Sequence, residues 1–157
     1  MSGYRVESLG KSHDRKAFVC GSVPLEHYFR ELATQDMRRR LAFCFVAVAD
    51  DGVVAGFYTL AATSVALDGL PAERVKQLPR YPSIPAVLLG RLAVATAHQS
   101  KGLGGALVAD ALLRVGRSEV TGHLMVVDAK DETAVRFYER LGFERLPDGA
   151  ARLVRRL

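Results

Sequence analysis

The apolar run that ends at Leu92-Ala93-Val94 is followed by Gln99, Ser100 and Lys101, and then by glycines at 102, 104 and 105 that open a helical pattern. Glycines at that place let the backbone come close to a ligand. The unpaired N–H groups of a helix start, with the positive end of its dipole, favour an anion, most simply a diphosphate. Lys101 adds a full charge there. The spacing is neither Gly-x-x-x-x-Gly-Lys-Ser/Thr nor Gly-x-Gly-x-x-Gly, so neither a P-loop nor a Rossmann fingerprint is indicated. The plain alternative is a glycine-rich helix start with no ligand.

Other chemistry is thinner. Cys20 and Cys44 form no Cys-x-x-Cys pair and cannot make a disulfide framework, and His13, His27, His98 and His123 show no ligand spacing. No metal site is expected. Seventeen arginines against five lysines, within a net charge of +5, favour bidentate contact with phosphates or carboxylates. That excess alone does not establish a nucleic-acid partner. At 157 residues, 49% hydrophobic and 25% charged, the chain reads as one globular domain over 1–157, which excludes disorder, collagen-like repeats and coiled coil. No run approaches the roughly 18 apolar residues of a membrane span. The opening Met1-Ser2-Gly3-Tyr4-Arg5 lacks the apolar core of a signal peptide, so the expected location is the cytoplasm.

The elements that must position these residues follow from periodicity. Arg5–Leu9 alternates as a short strand. From Pro24, the spacing of Leu25, Tyr28, Phe29 and Leu32 predicts a helix running out in Arg38-Arg39-Arg40, cations where the macrodipole favours them. Ala42–Ala49 and Val53–Ser64 flank Asp50-Asp51-Gly52, a hairpin signal. Pro71–Pro85 predicts a short helix over Ala72–Leu78 and then an extended connection. Ala86–Val94 reads as a strand buried on both faces. A helix from Leu103 past Val115, a strand Leu124–Ala129, a helix Glu132–Leu141 stopped by Gly142, and strands from Phe143 and over Arg152–Leu157 complete the chain. Strands alternating with helices predict an α/β (α+β) domain around a central mixed sheet.

Gln99-Ser100-Lys101-Gly102-Leu103-Gly104 matches Gln-x-x-Gly-x-Gly, and here the sequence resembles the GNAT N-acetyltransferases. Phe137-Tyr138 and Gly142-Phe143 reproduce that family's FYxxxGF ending at its usual distance. The resemblance implies a mostly antiparallel sheet splayed into a cofactor cleft. It implies that Gln99, Ser100, Lys101, Gly102, Leu103, Gly104 and Gly105 hold the pyrophosphate of acetyl-CoA, and that Leu92, Ala93 and Val94 pair with its pantetheine arm. Asp131 and Phe137 fall on the cofactor side of the second motif, with Asp131 where many members carry asparagine. Tyr138 is the expected general acid: a phenol with pKa near 10 can give its proton to a departing thiolate. Packing on the sheet is the bland reading of that ring. Backbone N–H groups around Leu92–Val94 would polarise the thioester carbonyl. No base stands out among Glu132, His98 and Asp128. An acid without a base suits an α-amine, partly neutral at pH 7, better than a lysine.

Leu78–Val94, Phe57-Tyr58-Thr59-Leu60 and Val127–Asp131 resemble more closely the GNAT toxins of bacterial toxin–antitoxin pairs, from about Phe18 to the C-terminus. The resemblance implies acetylation of the α-amine on aminoacyl-tRNA, a block of translation, and restraint by a ribbon-helix-helix antitoxin, and it leaves room for a homodimer. Arg38, Arg39, Arg40, Arg80 and Arg91 are then candidates for tRNA contact, as are Lys101, Arg152, Arg155 and Arg156, against the reading of a solvated basic face. Arg91, interrupting an apolar strand, either lines the substrate cleft or pairs with a buried acid, Asp128 being the candidate. The alternatives are a GNAT enzyme acting on a small amine, such as a polyamine or aminoglycoside, and a non-catalytic GNAT-fold binding module.

Overall fold

Every second residue of Phe43–Ala49 turns to the same side of a strand, so Cys44, Val46 and Val48 enter one core while Ala47 enters another. The computed structural model describes residues 3–148 and 150–157; the opening Met1-Ser2 lies outside them. Its strands are β1 Tyr4–Ser8, β2 Phe43–Ala49, β3 Val54–Ala66, β4 Ser83–Val94, β5 Leu124–Asp128, β6 Glu144–Arg145 and β7 Arg152–Arg156. The α-helices are α1 Val23–His27, α2 Ala33–Arg38, α3 Ala72–Val75, α4 Leu103–Gly116 and α5 Glu132–Arg140. The strands form one sheet in the order β1-β2-β3-β4-β5-β7-β6, with β1/β2, β2/β3, β5/β7 and β6/β7 antiparallel. With its helices, this is the mixed sheet the sequence predicts.

Contacts group the described residues into two units: those up to Ala61 with Leu89–Leu113, and Ala62–Leu88 with Arg114–Leu157. In the first, the Asp-Gly hairpin closes as expected. Ala49 N–H donates to Val53 O and Gly52 N–H to Ala49 O, both at 2.9 Å, with Gly52 in the left-handed region at φ 85°. An aromatic core covers one face of the sheet: Phe29 stacks on Phe57 at 4.5 Å and Phe18 meets both edge-on. On the other face Leu103 and Leu107 of α4 pack on Ala47 and Ala55. Register shifts between Ala47 and Val48, where Ala47 opposes Gly56 and Val48 opposes Val54, so Ala55 is an inserted bulge residue. Gly56 then lies under α4: a Cβ there would meet Ala93 O at 2.9 Å and Leu107 Cδ1 at 3.0 Å.

The helix predicted from Pro24 is present but not uniform. Ser22 Oγ accepts from Leu25 N–H to cap α1, and the turn Tyr28–Leu32 between α1 and α2 is π-helical. A π turn inserts one residue without disturbing the apolar spacing on either side, so periodicity does not reveal it.

In the second unit, Val65, Leu70, Ile84, Ala86, Leu124, Val126, Leu146 and Val154 form the core. Four expectations are corrected. The helix after Pro71 ends at Val75 instead of Leu78. The connection supposed extended to Pro85 already becomes strand at Ser83. Burial along β4 is uneven, with Gly90 and Arg91 exposed, so it is not buried on both faces throughout. The strand after Gly142 is only the two residues Glu144–Arg145.

Candidate active site

The loop after β4 is tied down before α4 begins. Ala95 N–H donates to Ala55 O at 2.7 Å and Thr96 N–H to Val19 O at 2.8 Å, and Thr96–His98 makes one 3₁₀ turn. His98 Nδ1 lies 2.8 Å from Tyr4 Oη, with the rings edge to face. Gln99 Nε2 donates to Cys20 O at 3.1 Å and to Val94 O at 3.0 Å. Both amide hydrogens of Gln99 therefore hold the loop rather than point from it. Tyr4, Val19 and Cys20 have no sequence signal of this role: they lie some eighty to ninety residues away and act mostly through backbone carbonyls.

Ser100 and Gly102 then adopt left-handed φ values of 63° and 80°. Such residues curl successive N–H groups into a concavity suited to an anion. Gly102 O accepts from Ala106 N–H at 3.1 Å, so Gly102 is the N-cap of α4. The first N–H groups of a helix have no intrahelical partner. At α1 and α5 a side chain takes one of them: Ser22 Oγ accepts from Leu25 N–H, and Asp131 Oδ1 accepts from Ala134 N–H at 2.8 Å. Gly102 has no side chain to do this. The first-turn amides at Leu103, Gly104 and Gly105 are thus available to an outside anion, beside exposed Lys101.

In the second unit, α5 ends in a Schellman motif: Gly142 N–H donates to Glu139 O at 3.0 Å and Phe143 N–H to Tyr138 O at 3.1 Å. Gly142 supplies the left-handed residue, φ 91°. The turn brings Phe143 edge-on to Tyr138 with centroids 5.5 Å apart, and Phe137 contacts the same ring at 5.0 Å. Tyr138 is 8% exposed. Burial pushes its phenol up to about 12, so it stays protonated at neutral pH. The Tyr138 hydroxyl has no hydrogen-bond partner among the described residues.

Residues 40–145 match the acetyltransferase (GNAT) domain model, which is two thirds of the chain. The chain belongs to the GNAT family. This GNAT chain is 35% identical over 150 residues to the tRNA-acetylating toxin of Mycobacterium tuberculosis, covering 94% of this chain and 89% of that one. It superposes on AtaT complexed with acetyl-methionyl-tRNAfMet with TM-score 0.88 at 28% identity, covering 98% of this chain and 94% of that one. A mutant AtaT toxin bound to acetyl-CoA and the C-terminus of the antitoxin AtaR gives TM-score 0.80 at 25% identity, covering 99% and 94%.

In this GNAT domain the candidate bases are otherwise engaged. Asp128 accepts two hydrogen bonds from Arg152, at 2.7 and 3.0 Å. Glu132 pairs with Arg145 at 3.1 Å, and His98 is held by Tyr4. Of the two alternatives for Arg91, pairing with Asp128 is not the one the structure makes. Arg152 faces Asp128 directly across the β5/β7 register and takes it bidentately. Arg91 instead stacks its guanidinium 3.8 Å above the Tyr28 ring, and Tyr28 Oη donates to Asp36 Oδ2 at 2.9 Å. Arg38, Arg39 and Arg40 are exposed at the end of α2, and Arg80 is exposed before β4. Among the described residues no cluster of three or more His, Cys, Asp or Glu is placed to hold a metal ion, and no helix is long and apolar enough to cross a membrane.

Proposed function

We propose that this chain is one GNAT domain over 1–157, acting in the cytoplasm as a toxin that transfers acetyl from acetyl-CoA to the α-amine of aminoacyl-tRNA and so blocks translation. The observation that carries the cofactor half of this reading is the uncapped start of α4, with Ser100 and Gly102 left-handed before it. Acetyl-CoA supplies a thioester acyl group. Ser100, Lys101, Gly102, Leu103, Gly104 and Gly105 bind its pyrophosphate through backbone N–H groups and the Lys101 ammonium. Gln99 positions this loop by its two carbonyl contacts. Backbone groups of Leu92, Ala93 and Val94 orient the pantetheine arm and polarise the reacting carbonyl. Phe137 and Asp131 shape the second motif, Asp131 through its cap on α5.

Tyr138 Oη holds the proton that a departing thiolate takes, and its burial keeps that proton in place. With Asp128, Glu132 and His98 bound to other partners, nothing evident strips a proton from a lysine. An α-amine near pKa 7.7–8.0 needs no such help. Similarity to a tRNA-acetylating toxin supports charged tRNA as the acceptor. Arg38, Arg39, Arg40, Arg80 and Arg91 contact its phosphates. A ribbon-helix-helix antitoxin restrains the enzyme, by analogy with the AtaR-bound relative.

The deciding experiment supplies purified protein with labelled acetyl-CoA and a pool of charged tRNAs, with polyamines and aminoglycosides in parallel. Label is expected on charged tRNA and is lost when the amino acid is stripped. Label on a small amine alone overturns the acceptor.

A further inference from the structure

A cavity of about 400 Å³ in the first unit lies apart from the α4 loop. Lys11, Arg15 and Arg38 line it, with Met37 and Phe43 among its apolar surfaces. No Asp or Glu lines it, and none of the three cations forms an ion pair among the described residues. Arg15 Nη1 reaches a neutral acceptor, Phe29 O at 3.4 Å. His13, also at the wall, is already bonded: Gly10 N–H donates to its Nδ1 at 2.9 Å and Nε2 faces Glu7 at 3.1 Å. Phe43 is the exposed residue of an otherwise buried β2, at 45% exposure. Three uncompensated cations repel one another, and an open aromatic face leaves apolar area in water. An occupant with both a negative charge and a flat apolar face relieves both.

We propose that this cavity is a nucleotide subsite for the tRNA acceptor, with a phosphate against Lys11, Arg15 and Arg38 and an unstacked base on Phe43. The inference rests on the charged-tRNA reading above. Cations beside an exposed aromatic are how proteins hold single-stranded nucleic acid without reading its sequence. Guanidinium forks match phosphate oxygens two at a time. An acidic peptide satisfies the cations but leaves the Phe43 face unused.

The test separates KM from kcat for charged tRNA in wild type, Phe43→Ala, Phe43→Trp and a Lys11→Ala/Arg15→Ala double variant, across a salt series. Phe43→Ala raises KM for tRNA about 5- to 100-fold, the usual worth of one stacked base, and Phe43→Trp restores it. The double variant raises KM and flattens its log–log salt dependence by about one and a half. In each, kcat and acetyl-CoA binding stay within about twofold of wild type, since these side chains touch neither reacting group. Wild-type KM and salt slope in all variants overturn the proposal. So does wild-type KM for tRNA together with lost binding of a labelled poly-glutamate peptide, which assigns the cavity to an acidic protein partner. A wild-type enzyme that acetylates no charged tRNA overturns the acceptor reading itself, an outcome distinct from variants that behave like an active wild type.

Discussion

Phe143 folds back onto Tyr138: its N–H donates to the Tyr138 carbonyl at 3.1 Å and its ring meets the Tyr138 ring edge to face at 5.5 Å. The FYxxxGF ending is thereby a mechanical unit. Gly142 makes the left-handed turn, the turn delivers Phe143, and Phe143 holds the phenol in its buried position. Gly142→Ala forces a Cβ into a positive-φ residue, 3.2 Å from Arg155 Nε. It is expected to cost about 1–2 kcal/mol and to lower kcat through a misplaced Tyr138. Thermal melting and steady-state kinetics on the same preparation check both effects.

Tyr138→Phe keeps the ring and its packing but removes the proton. The expected loss in kcat is about 10²–10⁴-fold, with little change in melting temperature. Because burial holds the phenol up to about 12, the alkaline fall in wild-type activity assigned to Tyr138 lies well above pH 10. A pH–rate profile in which kcat already falls near pH 9 and is rescued by no phenol variant removes Tyr138 from the mechanism.

Gln99→Ala releases Cys20 O and Val94 O together. The loop before α4 then loses its tie to two separate segments. Acetyl-CoA affinity is expected to drop several-fold, about 1 kcal/mol, with kcat at saturating cofactor close to wild type. Calorimetric titration with acetyl-CoA measures the shift directly.

Arg91 stands on Tyr28 through a planar contact that lysine cannot reproduce. Arg91→Lys keeps the charge and is expected to raise KM for charged tRNA about 2- to 5-fold, in proportion to an exposed cation–π contact. Tyr28→Phe keeps the ring, so it leaves that KM near wild type while losing the bond to Asp36. Equal effects of the two variants would argue that ring stacking is irrelevant.

Cys44 is 1% exposed, and burial raises its thiol from 9.0 to about 12. Below pH 9 the thiol is protonated whether the chain is folded or not. Above pH 9 the unfolded chain ionises first, so stability falls as pH rises towards 12. At 1.36 kcal/mol per pH unit, that loss amounts to about 4 kcal/mol. Cys44→Ala is expected to be less stable than wild type at pH 7 but to lose less between pH 9 and pH 12. Urea midpoints at pH 7 and pH 11 test the crossing of the two curves.

Much of this molecule was legible in local pattern. The Asp50-Asp51-Gly52 hairpin, the Gly142 stop of α5 and the glycine entry to α4 each depend on residues within a few positions of one another. Backbone sterics and capping act at that range, so sequence alone settles them. The order of the two motifs, Gln99–Gly104 and then Phe137–Phe143, likewise carries the family resemblance within the sequence itself.

What the chain could not announce are choices made between distant segments. Asp128 had two arginines to choose from, and strand register gave it Arg152 because β7 sets that residue directly opposite. Arg91 then took Tyr28, which a π turn places beneath it. Gln99 acts through the carbonyl of Cys20, a backbone atom with no side-chain signature. The cations at 11, 15 and 38 meet Phe43 only when the segment after β1, the end of α2 and the start of β2 are brought together. Local propensity decides which elements form; partner choice is decided by packing, because competing partners equal in chemistry differ only in where the fold puts them.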